Sequence, residues 1–191
     1  MPSRVFIDTN IVLEYKPLEE WDWSKLNLTA PEIHVTAPVI RELDKHKYHR
    51  VKGKQDRAKK FLALLDDIPK DGTGLPRKGF RLFIYLSEMP QHLAAGYGGL
   101  SLETQDEEFI GACLYAVKYS NRPDPDYVLS EDRLVRLRAE HTPGSTLIGL
   151  EPPKEYRFNP KAPEASDHKA IALEIWRLIK EAARDDSTTG G

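Results

Sequence analysis

Val5-Phe6-Ile7-Asp8-Thr9-Asn10-Ile11-Val12-Leu13 is the stretch on which the reading of the chain turns. A short apolar run that ends abruptly in Asp-Thr-Asn has the pattern of a buried parallel strand, residues 4 to 8, carrying a carboxylate to its carboxyl end. Open α/β sheets place their ligands at that edge. The plainer account is that Asp8 caps a helix starting near Ile11, since Asp, Thr and Asn all cap well. The two accounts separate on whether further acids stand at the carboxyl ends of other strands.

Composition limits what the chain can be. Its 191 residues fit one domain with an appendage, and 40% hydrophobic content is enough for one core. With 30% charged residues and a net charge of −2, any affinity for a polyanion has to be local. The single cysteine, Cys113, excludes an internal disulfide framework and a cysteine-based zinc cluster. No apolar run approaches the ~20 residues of a membrane span, and Met1-Pro2-Ser3-Arg4 leads straight into a strand. The expectation is a soluble, cytoplasmic protein.

After the first strand, Pro17 stops a short helix, and Trp21 and Trp23 read as packing lids over an irregular segment. Ile33-His34-Val35-Thr36 is a second strand, and Pro38 suits the first turn of the helix that follows. Glu42 lies one turn into that helix, three residues past Val39, which turns it toward the apolar face. Gly53 is expected to separate this helix from a second one through Phe61, Leu62, Leu64 and Leu65. Residues 69 to 79 read as a loop. Phe80 to Leu86 reads as a strand, with Pro90 suggesting an edge or antiparallel one. No glycine fingerprint for a nucleotide occurs.

From Arg41 to Lys60 nine cations face three acids. Such a run is a solvated helix face or a footprint for a phosphate backbone, and His46, Tyr48 and His49 among the cations could stack on bases. A helix beginning near Asp106-Glu107-Glu108 carries Phe109, Ile110, Cys113 and Val117 on one stripe. Acids favour helix first turns. Asp106, however, aligns with the buried stripe, Glu107 lies at its edge and Glu108 faces water. Cys113 reads as a core residue. Asp126-Tyr127-Val128-Leu129-Ser130-Glu131-Asp132 then repeats the opening logic, a strand ending in a hydroxyl and acids, with Ser130 or Asp132 able to cap the next helix. Residues 145 to 150 supply one more strand.

Four segments now carry the same theme, and together they resemble a PIN domain, the metal-dependent nuclease fold, over residues 3 to 150. The matching stretches are Phe6-Ile7-Asp8-Thr9-Asn10, Val39-Ile40-Arg41-Glu42-Leu43, Asp106 through Leu114, and Leu129-Ser130-Glu131-Asp132. The resemblance implies a three-layer α/β/α fold with a central, mostly parallel sheet, and a catalytic set of Asp8, Glu42, Asp106 and Asp132. Ser130 falls at the family's Ser/Thr position, and Asn10 and Thr9 flank the first acid as supporting residues. In the third motif either Asp106 or Glu107 reaches the metal, and the apolar spacing favours Asp106.

Clustered carboxylates have a physical requirement whatever their family. Two unit charges ~4 Å apart repel by ~4 kcal/mol at an effective dielectric near 20, so a packed quartet needs cations. Hard Mg²⁺ or Mn²⁺ suits oxygen donors and can activate water for attack on a phosphodiester. Phosphatases that form an aspartyl-phosphate resemble Asp-x-Asp at the opening motif, whereas position 10 is Asn. The expected activity is a Mg²⁺/Mn²⁺-dependent ribonuclease on single-stranded RNA, with Lys45, Lys47, Arg50, Lys52 and Lys54 as RNA-binding residues. Two alternatives stand beside it: the toxin of a toxin-antitoxin pair, with an antitoxin as protein partner, or a non-catalytic RNA- or protein-binding module.

Beyond residue 150, four prolines predict an extended connector over residues 151–165. A helix is expected over residues 166–184, with Ile171, Ile175, Leu178 and Ile179 on one face, followed by a disordered tail at 185–191. That face is expected to pack on its own domain or to join a second copy in a homodimer.

Overall fold

The computed structural model describes residues 2–158 apart from 99, 120, 121 and 123. One compact unit spans Met1–Arg157. The helix expected at 166–184 and the tail after it lie outside the described residues.

Six strands make one sheet in the order β3-β4-β2-β1-β5-β6. They are β1 (Arg4–Ile7), β2 (Glu32–Thr36), β3 (Leu75–Arg77), β4 (Phe80–Tyr85), β5 (Asp126–Leu129) and β6 (Leu147–Leu150). All neighbours run parallel except β3 with β4. Among the described residues six α-helices accompany them: α1 (Thr9–Glu14), α2 (Ala37–His46), α3 (Lys52–Asp66), α4 (Gln91–Ala94), α5 (Gln105–Lys118) and α6 (Arg133–His141). Val5, Phe6 and Ile7 of β1 are fully buried, so both faces of the central strand are covered, as a middle layer requires. The expected α/β fold with a mostly parallel sheet is what the chain adopts.

The order of strands positions the site. From β1 the chain steps to β2 on one side, whereas β5 pairs with β1 on the other, so the topology switches direction around β1. Loops leaving the carboxyl ends of β1 and β5 diverge there and open a crevice. Asp8 follows β1 directly, and Ser130 follows β5.

Two local expectations are corrected. The break between α2 and α3 falls at residues 47–51 rather than at Gly53, which lies within the first turn of α3. His49 accounts for the turn, since its Nδ1 accepts from the Val51 amide at 3.0 Å. The segment at 69–79 is not loop throughout, because Leu75-Pro76-Arg77 forms β3 and returns through Lys78-Gly79 into β4. Gly79 sits at φ +84, where a side chain would be strained, so a tight hairpin fits here. A strand of three residues with a central proline is tolerated only at an edge. With β3 as the edge, β4 becomes an interior strand, parallel to β2.

Trp21 and Trp23 are buried, as expected of packing lids. Trp21 stacks on Tyr156 with centroids 5.0 Å apart, and the Tyr156 hydroxyl accepts from the Asp22 amide at 2.8 Å. Of the segment read as a connector, residues 151 to 158 are described, and Pro152 and Tyr156 within it are buried against the unit. Among the described residues no helix is long and apolar enough to cross a membrane.

His34 illustrates what this packing costs in protons. Its ring stacks on Phe83 of β4 at 4.9 Å and tilts against Phe6 of β1 at 5.5 Å. Burial, then the charges of Arg4 and Arg122, push its pKa down to about 3. Glu32, 3.8 Å away, therefore faces a neutral imidazole. Because the folded value lies below the free one of ~6.5, the stability from keeping His34 neutral is complete above pH 6.5 and is lost as pH falls toward 3. The loss between pH 7 and pH 5 is about 2 kcal/mol. In His34→Phe, denaturant titrations at the two pH values should differ less by about that amount. An unchanged pH dependence would mean that His34 does not titrate on unfolding.

Candidate active site

A cleft of about 240 Å³ opens at the switch point, and Asp8, Glu42, Asp106 and Asp132 all line it. They arrive from the end of β1, from α2, from the first turn of α5 and from the start of α6. Four acids far apart in sequence thus share one opening. Glu107 does not line it.

Asp8 is the most constrained of the four. One carboxylate oxygen accepts the Thr9 amide at 2.6 Å, and the other accepts from the Asn10 side-chain amide and the Ser130 hydroxyl, each at 2.6 Å. Asn10 reaches on to the segment that follows β5, where its Oδ1 accepts from the Glu131 amide at 3.2 Å. Ser130 is fully buried, and its oxygen accepts from the Asp132 amide at 3.0 Å. Asn10 and Ser130 therefore brace Asp8 across the switch point. Among the described residues the buried Thr9 hydroxyl has no partner, so this residue contributes its backbone amide to Asp8.

Burial drives the Asp8 pKa up to about 6, against the lowering effect of Ser130 and Thr9, while the charges of Glu42 and Asp106 raise it further. Asp8 is thus a carboxylate that ionises with difficulty, facing like charges. The other three are more open. Glu42 stands 3.9 Å from His46, one helical turn on. Burial, the largest effect at His46, lowers its pKa against the pull of Glu42. Asp106 is half-exposed and 3.9 Å from Arg138. Its alignment with the stripe predicts an inward course, but at the second residue of α5 that stripe opens on the cleft, and burial begins at Phe109. Asp132 caps α6, accepting the Leu134 amide at 2.7 Å.

The adjacent acid has another task. Glu107 closes a capping box with Thr104 at the start of α5 and accepts from the Ser101 hydroxyl, which, first among several causes, lowers its pKa. Local capping explains Glu107, whereas Asp106 turns to the cleft.

Among the described residues no three acids, histidines or cysteines stand close enough together to enclose an ion. The donors nonetheless suit a hard divalent cation: all are oxygens, and Asp8 is part-buried beside the negative charges of Glu42 and Asp106. Mg²⁺ keeps several waters and is commonly held by one or two carboxylates plus a substrate phosphate, so a cleft of separated carboxylates fits it.

The expected RNA-binding residues divide into two groups. Lys47 pairs with Asp44 at 2.6 Å, and Lys54 pairs with Glu14. Lys45, Arg50 and Lys52 are exposed around the turn between α2 and α3 and have no acidic partner among the described residues. Tyr48, at the same turn, is 83% exposed. Glu14 was not singled out from the sequence, and His46 was singled out only for stacking, yet both line the cleft. The i, i+4 spacing of Glu42 and His46 is a signal that could have placed His46 there. Glu14 offers no comparable signal.

No family model matches the chain, and no curated protein matches it. Among solved structures it is similar to one described as the structure of the PIN domain endonuclease Utp24, at 16% identity and a TM-score of 0.41, over 78% of this chain and 86% of that one.

Proposed function

We propose that the chain is a divalent-metal-dependent endoribonuclease that cleaves single-stranded RNA. The observation that carries this reading is the cleft itself, lined by four acids from separate segments, of which Asp8 is part-buried and has a raised pKa. Burial, and after it the charges of Glu42 and Asp106, make Asp8 costly to ionise in the fold, a cost that a bound cation would offset.

Asp8, with one or more of Glu42, Asp106 and Asp132, would hold Mg²⁺ or Mn²⁺. Such an ion supplies a water of lowered pKa and positive charge beside a phosphodiester. Asn10 and Ser130 fix the carboxylate plane of Asp8 through their two 2.6 Å hydrogen bonds, which limits reorganisation when charge develops. Lys45, Arg50 and Lys52 give a single strand exposed phosphate contacts, and exposed Tyr48 offers one base a stacking face.

The direct test is cleavage of a labelled single-stranded RNA with Mn²⁺ or Mg²⁺ and its suppression by a chelator. Cleavage that persists undiminished in chelator would overturn the metal-dependent reading. These phosphate contacts have their own readout: replacing Lys45, Arg50 and Lys52 by Ala should flatten the dependence of log affinity on log salt, by roughly 0.7 per lost contact. An unchanged slope returns that turn to an ordinary solvated surface.

A further inference from the structure

Lys54 is set apart from the other cations of the basic segment by where its side chain goes. It lies in the first turn of α3 and pairs with Glu14, the last residue of α1. Both side chains are 30% exposed, and both line the cleft together with Asp8, Glu42, Asp106 and Asp132. Among the described residues Lys54 is the only Lys or Arg that lines it, against five carboxylates. His46, on the same wall, is held toward its neutral form by burial.

A purely structural account makes the pair a tie between α1 and α3. That tie already exists elsewhere, since the Arg57 guanidinium donates from α3 to the Leu13 carbonyl of α1 at 2.8 Å. Gln55 also anchors the start of α3, donating to the Lys47 carbonyl at 2.7 Å. The aliphatic part of Lys54 is therefore held by a fixed helix, and its ammonium stands at the rim of an anionic cleft. A lysine ammonium has three donors and acts on phosphate as a point charge. A phosphodiester entering among five carboxylates is repelled unless a cation meets it.

We propose that Lys54 receives a phosphate of the strand lying in the cleft, with Glu14 holding the ammonium in place until that phosphate takes over part of its charge. This proposal rests on the reading of the cleft as a nucleic-acid site. It makes Glu14 a competitor of the substrate rather than a partner of it. Lys54 and Glu14 should therefore affect binding in opposite directions, whereas the two members of a structural tie act alike. Partial burial also distinguishes Lys54 from the exposed cations, because contacts in the cleft are screened less by salt than exposed ones.

The experiment is binding of a short fluorescein-labelled single-stranded RNA to the full chain without divalent metal, by anisotropy, alongside cleavage in Mn²⁺ and melting temperature. Lys54→Ala should weaken binding about tenfold or more. The weakening should persist at salt concentrations where the effect of Lys45→Ala has faded. Lys54→Arg should restore much of the loss, and Glu14→Gln should tighten binding, with the gain largely gone when Lys54 is also Ala. If Lys54→Ala and Glu14→Gln lower the melting temperature alike and leave binding within twofold of the parent, the pair is only a tie and the proposal falls. If binding depends on the pair as stated but no RNA is cleaved, the phosphate site stands and the nuclease reading falls. If the parent chain cleaves RNA while binding ignores Lys54, the reverse holds. A parent chain that neither binds nor cleaves overturns both.

Discussion

Asp8→Asn should remove metal-dependent cleavage and, in the absence of metal, make the protein harder to melt. The rate should fall about a thousandfold or more, since several kcal/mol of charge stabilisation depends on the ligand. The stability effect follows from the Asp8 pKa, raised from 3.8 to about 6. A carboxyl whose folded value is raised contributes stability that is complete below the free value of 3.8 and is lost as pH rises through about 6. At pH 7 the ionised group thus costs the metal-free fold up to about 3 kcal/mol, which the amide does not incur. The gain is smaller than that, because Ser130 and Asn10 both donate to one Asp8 oxygen, and an amide nitrogen placed there would meet two donors. A rise of a few degrees near pH 7 is expected, shrinking to nothing as pH approaches 4. Mn²⁺ should stabilise the parent chain and leave Asp8→Asn unmoved. Full activity of Asp8→Asn in Mn²⁺ would show that the cleft is not the metal site.

Much of this architecture was legible because it is written in short segments. An apolar run ending in Asp8, another ending in Ser130 and a proline in the first turn of α2 each announce a strand end or helix start by composition alone. The opening run read as a parallel strand from its apolar pattern, and the mostly parallel sheet as a whole was implied by the resemblance to a PIN domain. What stayed hidden depends on distant partners. Leu75-Pro76-Arg77 has no strand pattern of its own and becomes β3 only because β4 offers a free edge. Lys54 and Lys52 look alike in sequence, yet one turns to Glu14 on α1 and the other to water, and only the packing of α3 on α1 decides it. Asp106 and Glu107 were separable on spacing, although the capping box that occupies Glu107 needs Thr104 in its observed conformation.

The second large effect concerns the far ends of the same two strands. Arg4 and Asp126, opposite one another where β1 and β5 begin, form a two-pronged ion pair at 2.7 and 2.8 Å, with side chains only 8% and 9% exposed. Arg4 also donates to the Ala116 carbonyl of α5 at 3.4 Å and lies over the Phe6 ring at 5.3 Å. Such a pair has little net worth against an apolar replacement, because both charges are desolvated, but removing one partner strands the other. Arg4→Ala should therefore cost about 3–5 kcal/mol, and Asp126→Ala a similar amount. At roughly 2–4 °C per kcal/mol for a chain of this size, that is a fall of about 6–20 °C in melting temperature. Arg4→Met combined with Asp126→Leu should recover most of the loss, giving a strongly non-additive cycle. The pair also serves the site, since a one-residue slip of β1 against β5 would turn Phe6 and Val128 to the wrong faces and separate Asp8 from Ser130. Cleavage by the apolar double variant, measured well below its melting temperature, separates the two roles. Parent-like activity assigns the register to the surrounding β1–β5 hydrogen bonds, such as Asp8 amide to Leu129 carbonyl at 3.0 Å. Lost activity in a stable fold assigns it to the ion pair. Single variants within about 1 kcal/mol of the parent would mean that the guanidinium and carboxylate reach water after all.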